Sequence, residues 1–352
     1  MYLNTAKKRT LLPIPMKKFK IISIILALLG IAAATVLVGW YGFDKVTGAI
    51  LSVGLKGFAV FCLWQLIVMA ILGVAWRFVV PLDGKWTLAV FIWGRMIRDS
   101  AAVCLPFSPV GGFVLGARAV TLHGVSWPVS AVSTVVDLTA EFAAEIIFAL
   151  GGLLILLDRT SDPAVARGAE IAAVIAVLGG IVILRLQRGA GPIFIKLGQR
   201  LLGQWFGGGE RDGVSPVELA AMYGNGSRLA LCTFIHVLGW FGKGLGNWIG
   251  FRLLGADIDL AGALAIEGIL HVVMATAVLI PGYAGVQEAG YVGLGALFGV
   301  APDVALGVSL IRRARDIAIG IPILLIWQIF EVRHLRGTAT QDGAPASSEM
   351  HG

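Results

Sequence analysis

Charge is scarce in this chain. Lys, Arg, Asp and Glu together make up 14% of its 352 residues, against about 25% in an ordinary soluble domain. That shortage excludes a chain kept soluble or disordered by its charges. Cysteine is scarcer still: Cys62, Cys104 and Cys232 are the only three. They lie far apart in apolar segments with no CxxC, which excludes a disulfide scaffold or a zinc module and leaves packed thiols. The five histidines form no HExxH or comparable spacing, so no metal site and no cofactor are expected. The net charge is +7, yet no basic run is interleaved with aromatics, and no nucleic-acid partner is expected. The basic residues sit in tails and loops, where membrane orientation places them.

What the chain has is apolar length. Apolar residues make up 57% and the mean hydropathy is +0.86. The run IISIILALLGIAAATVLVGW (21–40) matches the ~20 residues that cross a hydrocarbon core of about 30 Å. It is too long for a signal peptide and lacks a suitable cleavage site, so it reads as a mature helix. The class is an all-α, polytopic helical membrane bundle. Spans are expected at 21–40, 57–80, 127–157, 168–187, 226–251, 258–280 and 315–334, with 86–125 and 281–313 broken. Residues 1–20 form a basic tail, 21–336 the transmembrane domain and 337–352 a polar, disordered tail. The stretch GAGPIFIKLGQRLLGQWF (189–206) mixes apolar residues with Lys196 and Arg200 and reads as an amphipathic helix on the inner leaflet.

Lys and Arg set the orientation. They cluster in the first 20 residues, at Arg185, Arg188, Lys196, Arg200 and Arg211, and at Arg333 and Arg336. All three regions are placed in the cytoplasm.

The chain also resembles itself. LPFSPVGGFVLGARAVTLHGVSW (105–127) aligns with IPGYAGVQEAGYVGLGALFGVAP (280–302). Pro106 falls on Pro281, Leu122 on Leu297, Gly124 on Gly299, Val125 on Val300 and Val129 on Val304. Copies are expected at about 86–157 and 258–334. The span order makes the first hairpin enter from the cytoplasm and the second from outside. Inverted repeats with broken helices are a transporter architecture. Pro106, Pro109, Gly111 and Gly112 would form one re-entrant turn, and Pro281, Gly282 and Gly285 the other. Proline ends a helix and glycine supplies unusual dihedrals. The short helix after Gly285 would offer its N-terminal N–H groups to an anion such as a lipid phosphate.

Charges kept in the apolar segments need a reason, because each costs about 2.5–3.5 kcal/mol at the bilayer centre. Asp137, Glu141 and Glu145 recur at i, i+4 and i+8, one stripe of a helix. In the second copy Arg312 aligns with Asp137 and Asp316 with Glu141, and Arg313 and Arg315 make that copy basic. Pairing between these two helices is the expected arrangement. Arg95, Arg98 and Asp99 come from the first hairpin, Glu267 and His271 from the second, and Glu288 follows the turn. These residues are the candidate substrate or ion path; structural ion pairs are the competing reading. Lys243 reads as a snorkelling lysine and His236 as a core histidine.

These same residues carry a family resemblance. IPGYAGVQEAGYVGLGALFGVAPDVALGVSLIRRARD (280–316) resembles the signature of the flippase-like transmembrane domain of lysylphosphatidylglycerol synthases. The matching residues are Pro281, Gly285, Val286, Glu288, Gly299, Val300 and Arg313. That family usually has two glycines where Tyr283 and Ala284 stand. GRMIRDSAAVCLPFSPVGGFVLGARAV (94–120) is similar to its hopanoid-biosynthesis-associated branch. The resemblance covers roughly 20–335. It implies a bacterial inner-membrane protein that handles lipids. With the expected inverted repeat and charged midplane, the expected function is a lipid transporter or flippase, with membrane lipids as partners and lipid-biosynthesis enzymes as further candidate partners. No aminoacyl-transferase domain follows Arg336, so lysyl transfer is not expected. An intramembrane lipid-modifying enzyme and a non-transporting scaffold are the alternatives.

Overall fold

The computed structural model describes residues 43–80, 86–105, 108–202, 226–276, 283 and 285–341. They form helices and short connections. In chain order these are α1 Phe43–Val79, α2 Leu88–Cys104, α3 Ser108–Thr121, α4 Trp127–Arg159 and α5 Pro163–Leu202. Then come α6 Gly226–Leu253, α7 Leu260–Thr276, α8 Val286–Leu297 and α9 Pro302–Gln341. Five of them (α1, α4, α5, α6 and α9) carry apolar stretches long enough to cross a bilayer. Their outward faces are bare hydrocarbon: Leu51, Leu55, Leu154, Ile171 and Ile175 are all 60% exposed or more. Water does not tolerate such a continuous surface and lipid does. The protein is a multi-pass helical membrane bundle.

Several boundaries differ from expectation. The 258–280 stretch is the short helix α7, one arm of a hairpin. The last span begins at Pro302, because proline suits a helix's first turn. α9 continues past Gly337 to Gln341 and α5 runs unbroken to Leu202, since extending an established helix costs little per residue. No break therefore divides 189–202 from the preceding span as a separate surface helix. The 21–40 span, the 1–20 tail and residues 342–352 lie outside the described residues, as do Pro106, Pro281 and Gly282.

The packing has an exchange symmetry. Helices α1 to α4 correspond to α6 to α9. α2 packs on α3, as α7 does on α8. α4 packs on α7, and α9 on α2. α1 contacts α2 as α6 contacts α7, and α4 contacts α6 as α9 contacts α1. Among the described helices only α5, which packs on α4, has no mate in this scheme. α2 and α7 are each 17 residues long, and each leads to a short helix and then a long one. Between short and long helix stand Gly124 (φ 84°) and Gly299 (φ 73°). Both occupy the left-handed region that glycine alone enters freely. Val125 and Val300, the next residues, are buried in corresponding cores, one with Trp76, Phe91 and Val136, the other with Phe251, Ile266 and Tyr291. Among the described residues three helices long and apolar enough to cross, α4, α5 and α6, lie between the two hairpins, and an odd number of crossings is what the expected inverted repeat requires.

Small residues allow the close crossings. A Cβ on Gly112 would lie 2.5 Å from the Arg98 carbonyl oxygen, and one on Gly152 3.2 Å from Ala265 Cα. The first closes hairpin α2–α3 and the second seats α4 on α7, the small-residue packing typical of membrane helices.

One ion pair ties α4 to the start of α7 at the bundle's end. Arg159 donates to both carboxylate oxygens of Asp259, at 2.7 and 2.6 Å. The guanidinium holds the Asp259 carboxyl down at about 2, against about 3.9 for a free aspartate. A depressed acid stabilises the fold above its unfolded value and loses that contribution as pH falls through its folded value. Thermal midpoints of wild type and Asp259→Asn are therefore expected to converge as pH drops from 5 towards 2. Because the pair is exposed, the difference at neutral pH is about 0–1 kcal/mol.

Candidate functional site

The centre of the bundle holds a cavity of 540 Å³ lined by both copies. Six basic and five acidic side chains face it, together with His271. The first copy supplies Arg95, Arg98 and Asp99 from α2 and Glu141 and Glu145 from α4. The second supplies Glu267 and His271 from α7 and Arg312, Arg313, Arg315 and Asp316 from α9. Asp137 and Glu288 stand behind this lining.

The arginine–carboxylate pairs around the cavity run within each copy rather than between the two stripes. Arg95 grips Glu141 through two bonds of 3.0 and 2.6 Å and Asp99 at 2.9 Å. Arg98 donates to Asp137 at 2.7 Å and to Glu141. In the second copy Arg312 donates to Glu267 at 2.6 Å, and Arg313 to Glu288 at 2.8 Å. The expected pairing of the acid stripe with the α9 arginines is thus corrected. The carboxylates of α4 meet the arginines of α2, while Arg312 meets α7 and Arg313 meets α8.

The two copies carry the same pair with its charges reversed. Arg95 is the eighth residue of α2, and Glu267 the eighth of α7. Asp137 is the eleventh residue of α4, and Arg312 the eleventh of α9. Arg95 lies 3.7 Å from Asp137, and Glu267 lies 2.6 Å from Arg312. One turn further along each hairpin helix, Asp99 pairs back to Arg95 and His271 to Glu267, the latter at 3.4 Å. The second copy extends its network through Tyr291, which accepts from Arg312 at 2.9 Å and donates to Asn247 at 3.1 Å. Asn247 in turn donates to the Ala263 carbonyl.

The second re-entrant turn already holds an anion. Glu288 is the third residue of α8, and its carboxylate accepts the Gly285 N–H at 2.8 Å. A carboxylate there satisfies orphan donors and complements the helix dipole. The expectation that this helix end is open to an external phosphate is corrected: the protein's own Glu288 occupies it, clamped by Arg313. Gly285 enters at φ 79° and Tyr283 at φ 54°. A bulky residue in the left-handed region is strained. The tyrosine ring lines the cavity. In the first copy Gly111 and Gly112 lie within α3, past its start, and Pro109 is its second residue.

Three groups eluded the sequence reading. Lys243 does not snorkel: it lines the cavity, with Nζ 3.7 Å from the centre of the Trp240 ring. Glycines on either side, Gly242 and Gly244, pack α6 tightly on its neighbours and hold the lysine inside the bundle. His236 is fully buried, but it contacts Asp137 through Nε2 at 2.8 Å, so it belongs to the network. Arg118 on α3 and Glu331 on α9 form a buried pair at 2.9 Å. Nothing in their local sequence joins two residues so distant along the chain. Asp137, Cys232 and His236 place candidate ligand atoms within 4.8 Å of one another. The guanidiniums of Arg95 and Arg98 already neutralise Asp137, so a cation there would meet two fixed positive charges.

A family model for the lysylphosphatidylglycerol synthase transmembrane region matches residues 24–323. The chain belongs to that family. No curated protein and no solved structure matches it. Membership in the lysylphosphatidylglycerol synthase transmembrane family makes this a membrane protein of lipid-related function. The match covers every residue that lines the cavity.

Proposed function

We propose that this family member moves a polar-headed lipid between the leaflets of a bacterial inner membrane. Its N- and C-termini would face the cytoplasm. The observation that carries the reading is the charged cavity lined by both copies; an inverted arrangement of those copies is part of the proposal. Ionisable groups inside a membrane mark substrate or ion paths. Binding near the midplane at a repeat interface suits alternating access. The same space is lined by Met69, Phe142 and Met274, apolar surface that suits an acyl or polycyclic tail. The hopanoid-associated resemblance of the first hairpin supports a hopanoid, or its glycosylated precursor, among the lipids to be tried.

Reconstitution tests this directly. Proteoliposomes carrying labelled lipids are expected to redistribute them between leaflets faster than protein-free vesicles. A lipid of changed mass would instead make the protein an enzyme. Neither result would leave a scaffold, and the transport reading would be withdrawn.

A further inference from the structure

Two charges in the cavity differ from all the others. Among the described residues, every other charged side chain lining the cavity has an ion-pair partner within 4.0 Å. Lys243 and Glu145 have none. The lysine rests on the Trp240 ring. The glutamate makes no hydrogen bond to the described residues. They come from adjacent, packed helices, α6 and α4, and both are half-buried. Each reaches the same cavity, and no salt bridge joins them.

This is an expensive arrangement to leave empty. A charge in the membrane interior is costly unless it is paired or wetted. The neighbouring arginines are taken. Arg95 and Arg98 are held by Glu141 and Asp137, and Arg312 by Glu267. A ligand that recruited them would first have to break buried pairs, which is strongly unfavourable. Lys243 and Glu145 can be engaged without breaking an ion pair. An anionic headgroup would satisfy Lys243 and be repelled by Glu145. A cationic headgroup would do the reverse. A headgroup bearing one anion and one ammonium satisfies both.

We infer that Lys243 and Glu145 are a two-point site for a zwitterionic lipid headgroup, the phosphate meeting Lys243 and the primary ammonium meeting Glu145. The inference deepens the transport reading by naming the substrate class, and it rests on that reading for its membrane context. The paired arginines then serve as the frame that holds α2, α4, α7 and α9 around the site. Trp240 keeps the lysine pointed inward through a cation–π contact.

Binding and movement are measured separately, so the two claims fail separately. Full-length protein in detergent is titrated with dioctanoyl phosphatidylethanolamine, dioctanoyl phosphatidylglycerol and soluble phosphoethanolamine, and the thermal midpoint is followed, since a ligand of the native state raises it. The zwitterionic lipid is expected to bind at least tenfold more tightly than the anionic lipid or the soluble headgroup. Lys243→Met and Glu145→Gln should each abolish that preference, and the exchange Lys243→Glu with Glu145→Lys should restore part of it. Equal binding of the two lipids, or a preference unchanged in either single variant, overturns the site. Phosphoethanolamine binding as tightly as the lipid overturns the lipid assignment. The wild-type comparison of the three probes stands even if a variant fails to fold. Tight, selective binding without leaflet exchange in vesicles would remove the transport reading and leave the site standing.

Discussion

Glu141→Gln is expected to lower the unfolding free energy by about 3–5 kcal/mol, the cost of breaking a buried ion pair by removing one partner. Glu141 sits between two guanidiniums, accepting two bonds from Arg95 and one from Arg98. The amide keeps the shape but removes the charge and replaces one acceptor oxygen with a donor facing a donor. Glu145→Gln, one helical turn along, is expected to leave stability unchanged within about 0.5 kcal/mol. That carboxylate has no partner to lose. The two substitutions are chemically identical and sit on the same stripe, so the contrast isolates the pairing. Thermal denaturation in detergent measures both, beside leaflet exchange of labelled lipid. A Glu141→Gln protein as stable as wild type would remove the framing role from the first copy's charges.

Glu267→Arg is expected to be as damaging. It sets a second guanidinium beside Arg312 in a position where Glu267 is 1% exposed, leaving two like charges buried together. The loss is again about 3–5 kcal/mol or more, enough to prevent accumulation of folded protein when total stability is about 5–15 kcal/mol. Adding Arg312→Asp should recover a folded protein. The double variant carries at the eighth position of α7 and the eleventh of α9 the same residues that the first copy carries at the eighth of α2 and the eleventh of α4. The second copy would then have the polarity of the first. Neighbours in one network couple strongly, and the recovery is that coupling made visible. If the double variant is no more stable than Glu267→Arg alone, positions 267 and 312 are not the equivalents of 95 and 137.

The repeat was legible because it is written in backbone-determining residues. Gly124 and Gly299 must both enter the left-handed region, and a helix start with proline follows each. Those needs survive when identity is low. The apolar spans were legible for a similar reason, since the bilayer sets their length. The pairing was not legible. The stripe Asp137, Glu141 and Glu145 announces three buried acids, but a stripe does not say which neighbouring helix it faces. Only the folded arrangement decides that Arg95 and Arg98, rather than the α9 arginines, reach them. Lys243 was misread for a related reason. A lone lysine in an apolar run looks the same whether it points to lipid or to a cavity. The glycines beside it, which bring α6 close to its neighbours, are the signal that it points inward. Glu288 was read as part of a ligand path, and its capping of Gly285 became visible only once the turn was built. The Arg118–Glu331 pair joins the two copies across 213 positions of sequence, and no local pattern could have proposed it.

The inverted repeat is the claim on which cavity, charge reversal and transport all rest, and sidedness of labelling tests it most directly. Ser126 precedes α4 and Asp303 lies at the start of α9; both are exposed and they occupy equivalent ends of the two hairpins. Single cysteines are placed at each in a background with Cys62, Cys104 and Cys232 replaced by alanine. A membrane-impermeant maleimide is then applied to right-side-out and to inverted vesicles. The inverted repeat predicts that Ser126→Cys labels from one side only and Asp303→Cys from the other. Labelling of both from the same side would contradict it.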